Sequence, residues 1–236
     1  MARGISYTET KTKSAIQQAL KRSVADLYHA SCLNWSGRTS DTNKWYSEII
    51  CDALLSHIKS IKSIPAVVRK QAYRIRKTDV IRKNNNNRKE ENFAKILVNE
   101  SLSSLGKVLD FQIPIKGKRT DKAGKVDLLS WNIENKTIYL IEYKHIKNNE
   151  TLLRAVLEIF TYFKQIQHEK IKTEYKPNKK FSNSKIQIKP IVLVHQGSKA
   201  SIEATEMFYG DRPKLKDFCV ALGVDVYTFN FDLRRM

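Results

Sequence analysis

Residues 125–145, KVDLLSWNIENKTIYLIEYKH, most constrain what this chain can fold into. Two apolar runs, KVDLLSW (125–131) and TIYLIEYKH (137–145), flank the turn-forming NIENK, and this pattern predicts an antiparallel β-hairpin. Residues two apart in a strand point the same way, so Glu142 and Lys144 share a face with Ile138 and Leu140 while Tyr143 points oppositely. The antiparallel partner then sets Asp127 beside Glu142. Two carboxylates at that separation repel each other unless a cation sits between them. Mg²⁺, with Mn²⁺ as the alternative, suits carboxylate oxygens, and a neighbouring ammonium can orient a water or offset charge on a phosphate.

The flanking segments extend the hairpin into a sheet. RKEENFAKILVNESLSSLG (88–106) carries Phe93, Ile96 and Leu97 on one helical face, which predicts a helix ending at Gly106. VLDFQIPI (108–115) reads as a strand before the hairpin. After it, Leu152, Val156, Ile159, Phe160 and Phe163 form the buried stripe of a helix. Residues 168–189 are basic and polar, and read as a loop or long hairpin in which Tyr175 and Phe181 are candidates for stacking on bases. KPIVLVHQ (189–196) is a continuous apolar strand, residues 211–222 are helical up to Gly223, and VDVYTFNF (224–231) alternates as a last strand. The order predicts an α/β fold with a mixed central sheet flanked by helices.

Upstream, residues 14–31 and 44–61 repeat apolar positions at three and four, as amphipathic helices do. Between positions 59 and 89 lie eleven Lys or Arg and one acid, Asp79, so this stretch is a basic connector. The chain thus divides into a helical, basic region, 1–87, and a sheet-bearing region, 88–236.

Charge narrows the partners. Forty-three Lys and Arg against 24 Asp and Glu leave +19, a field that attracts polyanions before any specific contact forms. Nucleic acid is the expected partner, with Arg74, Arg76, Lys77, Arg82 and Lys83 of the connector and Arg154 of the later helix as backbone contacts. No run reaches the ~20 apolar residues that cross a bilayer, and the first residues lack the apolar core of a signal peptide. The expected location is therefore cytoplasmic, with no membrane partner. Cys32, Cys51 and Cys219 are odd in number and far apart, which predicts reduced thiols rather than disulfides or a zinc pair.

The two acids, the lysine and the order of elements resemble the PD-(D/E)XK nuclease superfamily, the restriction endonuclease-like fold. In that resemblance Asp127 is the first acid, preceded by Val126 instead of proline, and Glu142-Tyr143-Lys144 is the second half, after a fourteen-residue gap. The further glutamate of the family's core helix is Glu90 or Glu91, with Glu90 preferred because Phe93 and Leu97 follow it at three and seven. Some branches carry Gln or Glu four residues before a Tyr in the helix after the lysine, and Glu158 and Tyr162 hold those positions. The resemblance covers about residues 88–231 and says little about 1–87.

It implies an αβββαβαβ core with an N-terminal helical extension, and a Mg²⁺-dependent phosphodiester hydrolase acting as an endonuclease on double-stranded DNA. Asp127, Glu142 and the Tyr143 carbonyl would hold metal, Lys144 would position or deprotonate the attacking water, and Glu90 or Glu91 would support them. A homodimer is compatible with cutting both strands. The alternatives are a catalytically inactive nucleic-acid-binding module of the same fold and an RNA-processing nuclease. Each residue also has an ordinary reading: Asp127 as a solvated strand cap, Glu90 and Glu91 as partners of a helix dipole, Glu158 and Tyr162 as a wet helix face, His145 as a bystander.

Overall fold

The computed structural model describes residues 6–74, 89–115, 124–176 and 182–230. Its centre is the expected hairpin. Strands β3 (Lys125–Asn132) and β4 (Thr137–Lys144) pair antiparallel with Leu128 opposite Ile141, so one further step along the ladder sets Asp127 opposite Glu142. Four more strands complete one mixed sheet: β1 (Ser101–Leu102), β2 (Gly106–Pro114), β5 (Gln187–His195) and β6 (Asp225–Phe229). The strands lie in sequence order, antiparallel from β1 to β4 and parallel from β4 to β6.

A parallel neighbour needs a crossover, and α5 (Leu152–Gln165) followed by α6 (His168–Tyr175) supplies it between β4 and β5. Thr151 caps α5 by accepting from the Arg154 backbone N–H, and the Val156, Ile159 and Phe160 stripe is buried. Two helices, α7 (Lys199–Tyr209) and α8 (Pro213–Leu222), make the second crossover, from β5 to β6. On one sheet face Ile138, Leu140, Val192 and Val194 join a core with α5, and on the other Tyr139, Ile141, Tyr143, Ile191 and Leu193 pack with Phe93, Ala94 and Leu97 of α4 (Lys89–Leu97). Covered on both faces, β4 is buried at every residue, which is why it reads as an apolar run.

The N-terminal helices are α1 (Glu9–Arg22), α2 (Tyr46–Ser56) and α3 (Ile58–Lys62). Ile16, Ile50 and Leu54 belong to the same apolar cluster as α5 and as Leu215 and Phe218 of α8. Among the described residues no helix is long and apolar enough to cross a membrane. All three cysteines are free and buried.

Several elements differ from the sequence reading. α4 ends at Leu97 rather than at Gly106, because Asn99 takes a left-handed φ of 76° and the Ser-rich stretch after it forms β1 and a 3₁₀ turn. Gly106 opens β2 instead, at φ 77°, where a Cβ would stand 2.1 Å from the Trp131 carbonyl oxygen. The predicted helix 14–31 starts earlier and ends at Arg22, followed by 3₁₀ turns at Leu27–His29 and Ser31–Asn34, and the predicted helix 44–61 breaks at His57. α7 was not expected; Ser198 caps it and Gly210 ends it in the left-handed region.

Residues 168–189 are not simply a loop, since α6 occupies their first turns and buries Ile171 and Tyr175 at a spacing of four. Tyr175 is therefore a core residue and not a base-stacking one, and Phe181 lies outside the described residues. The Tyr175 hydroxyl donates to Asp110 Oδ2 at 2.6 Å in the interior. Tyr175→Phe is expected to lower folding stability by about 1–3 kcal/mol, read by urea unfolding, because the buried carboxylate oxygen loses a donor; a change under about 0.5 kcal/mol would show that the bond adds little.

Candidate active site

The hairpin end carries the polar groups together. A cleft of about 330 Å³ is lined by Glu90, Asp127, Glu142, Glu150 and Glu158, by Lys125 and Lys144, and by Gln112, Asn148 and Tyr162. Lys144 is its centre. Its Nζ lies 2.9 Å from Glu142 Oε1 and 3.4 Å from Glu158 Oε2, and it meets Glu150 Oε2 at closer range. The Lys144 side chain is only 4% exposed, so these carboxylates replace its water.

Asp127 is fixed from both sides. Oδ1 accepts from Gln112 Nε2 at 2.9 Å and Oδ2 from the Tyr143 backbone N–H at 3.0 Å. Gln112 reaches it from β2 with a left-handed φ of 52°, an uncommon conformation for a side-chain-bearing residue within a strand. Glu90 Oε1 accepts from Asn148 Nδ2 at 2.6 Å and from the His145 backbone N–H at 3.3 Å, which ties α4 to the segment after β4. Tyr162 donates its hydroxyl to Glu158 Oε1 at 2.8 Å, one turn apart on α5.

Burial and mutual repulsion raise the acids. Desolvation lifts Asp127 to about 7, with Glu90 and Glu158 adding to the rise while Lys144 and the Tyr143 N–H oppose it. Glu142 is pushed well above the usual carboxylate range by burial, then by Asp127 and Glu158, against the pull of Lys144. Burial works against the Lys144 charge, but Glu142, Glu158, Glu150 and Asp127 together outweigh it and hold its pKa well above that of an ordinary lysine. Glu150 also resists burial, and Lys144 and Arg154 keep it below the usual range.

Of the residues predicted from sequence, Asp127, Glu142, Lys144, Glu90, Glu158 and Tyr162 line this cleft. Glu91 does not line it; it pairs with Lys95 at 3.1 Å on its own helix. Tyr143 contributes its backbone N–H to Asp127, while its ring points to the opposite face and stacks on Phe93 at 4.5 Å. Arg154 sits in the first turn of α5 with Nε 3.3 Å from Glu150 Oε1. Arg74 is exposed and its backbone N–H donates to Glu174 Oε2 at 2.9 Å, so it belongs to the surface beside α6. Arg76, Lys77, Arg82 and Lys83 lie outside the described residues. Gln112, Asn148 and Glu150 were missed by sequence reasoning. Only Glu150 had a signal, its spacing of four before Arg154 at a helix start.

Two observations bear on whether metal fits. Glu142 Oε2 is buried with no hydrogen-bond partner among the described residues, and the oxygens of Asp127 and Glu142 are the hard ligands Mg²⁺ takes. Against this, no group of three or more His, Cys, Asp or Glu among the described residues stands ready as a metal cage. A two-acid site whose other ligands are water and substrate, as Mg²⁺ commonly has, satisfies both. Comparisons with family models, with curated proteins and with solved structures return no match for this chain.

The close approach of Gly124 tests how the site is held. A Cβ there would stand 1.7 Å from the Tyr162 hydroxyl oxygen. Gly124→Ala is expected to displace Tyr162 from Glu158 and to cost about 1–3 kcal/mol by thermal unfolding, as overpacked sites do. Unchanged stability would mean that the strand entry moves instead.

Proposed function

We propose that this chain is a Mg²⁺-dependent nuclease of the PD-(D/E)XK type, hydrolysing phosphodiester bonds as an endonuclease on double-stranded DNA, with Mn²⁺ as an alternative metal. The observation that carries the reading is the buried Glu142 Oε2, without a hydrogen-bond partner among the described residues, in an open polar cleft, with Asp127 opposite on the adjoining strand and Lys144 beside it. The element order α4, β1, β2, β3, β4, α5, α6, β5, α7, α8, β6 also supports it, because with β1, α6 and α7 taken as additions it is compatible with the αβββαβαβ order of the family. So does the net charge of +19, which draws a polyanion towards a cleft that is itself acidic.

Asp127 and Glu142, with the Tyr143 carbonyl, would hold the metal. When bound, it supplies polarisation of a phosphoryl oxygen and acidification of a water. The protein's own groups position the rest. Gln112 and the Tyr143 N–H orient the Asp127 carboxylate, and Glu142 and Glu158 hold the Lys144 ammonium in place. In the metal-free protein the surrounding carboxylates raise the Lys144 pKa above that of an ordinary lysine, which supports a role as a charge that orients water and offsets negative charge developing on phosphate. Glu158 is in turn steadied by Tyr162, and Glu90 by Asn148.

The test is incubation of supercoiled plasmid and linear duplex with Mg²⁺ or EDTA, using wild type and Asp127→Ala. Cleavage is expected only with Mg²⁺ and the wild type, with the variant slower by at least about a thousandfold. Cleavage that survives EDTA or the substitution removes the assignment.

One observation favours a second reading, a nucleic-acid-binding module without hydrolysis: both Asp127 oxygens already accept hydrogen bonds from the protein. Calorimetry finding no Mg²⁺ uptake, with DNA binding retained, would select it. Competition among duplex DNA, single strands and structured RNA at fixed salt separates the DNA and RNA readings, since charge alone attracts all three.

A further inference from the structure

Glu150 stands between two cations that come from different elements. One carboxylate oxygen meets Lys144 Nζ at the end of β4, and the other lies 3.3 Å from Arg154 Nε in the first turn of α5. The second is a charge contact only, because the buried Arg154 Nε–H finds no hydrogen-bond acceptor among the described residues. Lysine and arginine converging from two elements on a pair of anionic oxygens is the arrangement that also receives a phosphate, whose unesterified oxygens carry the same charge and spacing pattern as a carboxylate.

The members of this group are not equally fixed. The Glu150 side chain is 25% exposed, against 4% for Lys144. Its backbone is held, since its N–H donates to Asn148 Oδ1 at 2.6 Å and the next residue, Thr151, donates to Asn34 Oδ1 at 2.9 Å. Side-chain rotation alone therefore frees the cations, and Lys144 keeps Glu142 and Glu158 as partners when Glu150 leaves. We infer that Lys144 and Arg154 form a phosphate subsite of the cleft, filled by the Glu150 carboxylate until a backbone phosphate of the nucleic acid displaces it. The nature of the ligand rests on the nuclease reading; the occupancy by Glu150 does not. Glu150 is then a built-in competitor that weakens binding of any strand not pressed into the cleft, and its removal strengthens binding while leaving the metal-holding acids in place.

The experiment measures binding of a labelled duplex by the full chain in EDTA, so that nothing is cut. Glu150→Gln is expected to bind about tenfold tighter than wild type, and to lose that gain when combined with Arg154→Ala. Glu150→Asp keeps the charge but shortens its reach, so it too should bind more tightly, and it remains informative if the glutamine variant folds poorly. An unchanged or weaker affinity in both variants overturns the subsite. A gain that persists undiminished without Arg154 also overturns it, because a general loss of repulsion would not need that arginine.

Inorganic phosphate, at ionic strength matched with chloride, is the competitor. Displacement of duplex by phosphate alone at low millimolar levels would assign a free oxyanion and overturn the nucleic-acid ligand, whereas duplex that stays bound supports it. Failure of the two ideas is distinguishable. Tighter binding that depends on Arg154 with no plasmid cleavage removes the nuclease and keeps the subsite, and cleavage without that dependence does the reverse.

Discussion

Lys144→Met is expected to lower folding stability by about 3–5 kcal/mol at neutral pH and to abolish plasmid cleavage, because it removes the cation that three carboxylates share in a buried place. Glu142, Glu150 and Glu158 all lie within reach of Nζ, and Glu142 is itself buried with one oxygen unpartnered among the described residues. Methionine fills the space of the alkyl chain, so the loss is one of charge and not of packing. The pH dependence has a definite sign. In the wild type the raised Lys144 pKa means that its contribution is full below the ordinary lysine value and disappears only as pH rises through the higher folded value, beyond the working range. In the variant Glu142 and Glu150 lose the cation that draws their folded pKa values down, so those values rise and the penalty should shrink as pH falls and they take up protons. Urea unfolding at about pH 5 and about pH 8 measures it. A loss equal at both, or under about 1 kcal/mol at the higher pH, would show that water enters and solvates the acids. Lys144→Arg keeps the charge and should lose far less stability than methionine while still impairing cleavage, since the fork of a guanidinium does not match a point charge held by three separate acids.

The hairpin was legible because its signals are local: a period of two, a turn, and acids and lysine at alternate positions of strands. The same holds for α5, whose apolar stripe and Thr151 cap are written in adjacent turns. What sequence could not supply was anything set by packing at a distance. Glu90 and Glu91 are neighbours separated by about 100° around one helix, and which of them reaches the cleft depends on how α4 rests on the sheet through Phe93 and Leu97. Gln112 reaches Asp127 through a left-handed backbone that glutamine rarely adopts, so nothing in its identity announced it. Glu150 belongs to an aperiodic segment between β4 and α5, whose path is fixed by contacts with Asn34 and, through Lys199, with α7. α6 escaped notice because two buried side chains, Ile171 and Tyr175, suffice to dock a short helix that is otherwise polar. The first helices showed apolar faces in sequence, but periodicity does not say what covers a face; here α5 and α8 do.

Asp127→Asn is expected to abolish cleavage and yet to stabilise the metal-free protein, by about 2–4 kcal/mol above neutral pH. Desolvation of the carboxylate raises the Asp127 pKa from 3.8 to about 7, so keeping this acid ionised in the fold works against stability, although the residue is only half-buried and water offsets part of that cost. A tenfold change in proton affinity corresponds to about 1.4 kcal/mol, which bounds the effect near 4 kcal/mol. A carboxyl whose folded pKa is raised contributes most at pH below its unfolded value and loses that contribution as pH climbs through the folded one. Asparagine does not ionise. Its advantage should therefore be absent near about pH 4, grow up to about pH 7 and level off beyond. The hydrogen bonds can be kept: the asparagine carbonyl accepts from the Tyr143 N–H, and its amide faces Gln112, whose own amide turns to offer oxygen. Urea unfolding in EDTA across that range reads the difference, and Mg²⁺ added afterwards should stabilise the wild type but not the variant. No advantage at high pH would place Asp127 in a wetter setting than its neighbours imply, and an advantage already present at low pH would come from something other than its ionisation. The expected opposition between stability and activity follows from the chemistry of the cleft, where acids are crowded together and one buried carboxylate oxygen is left without a partner among the described residues.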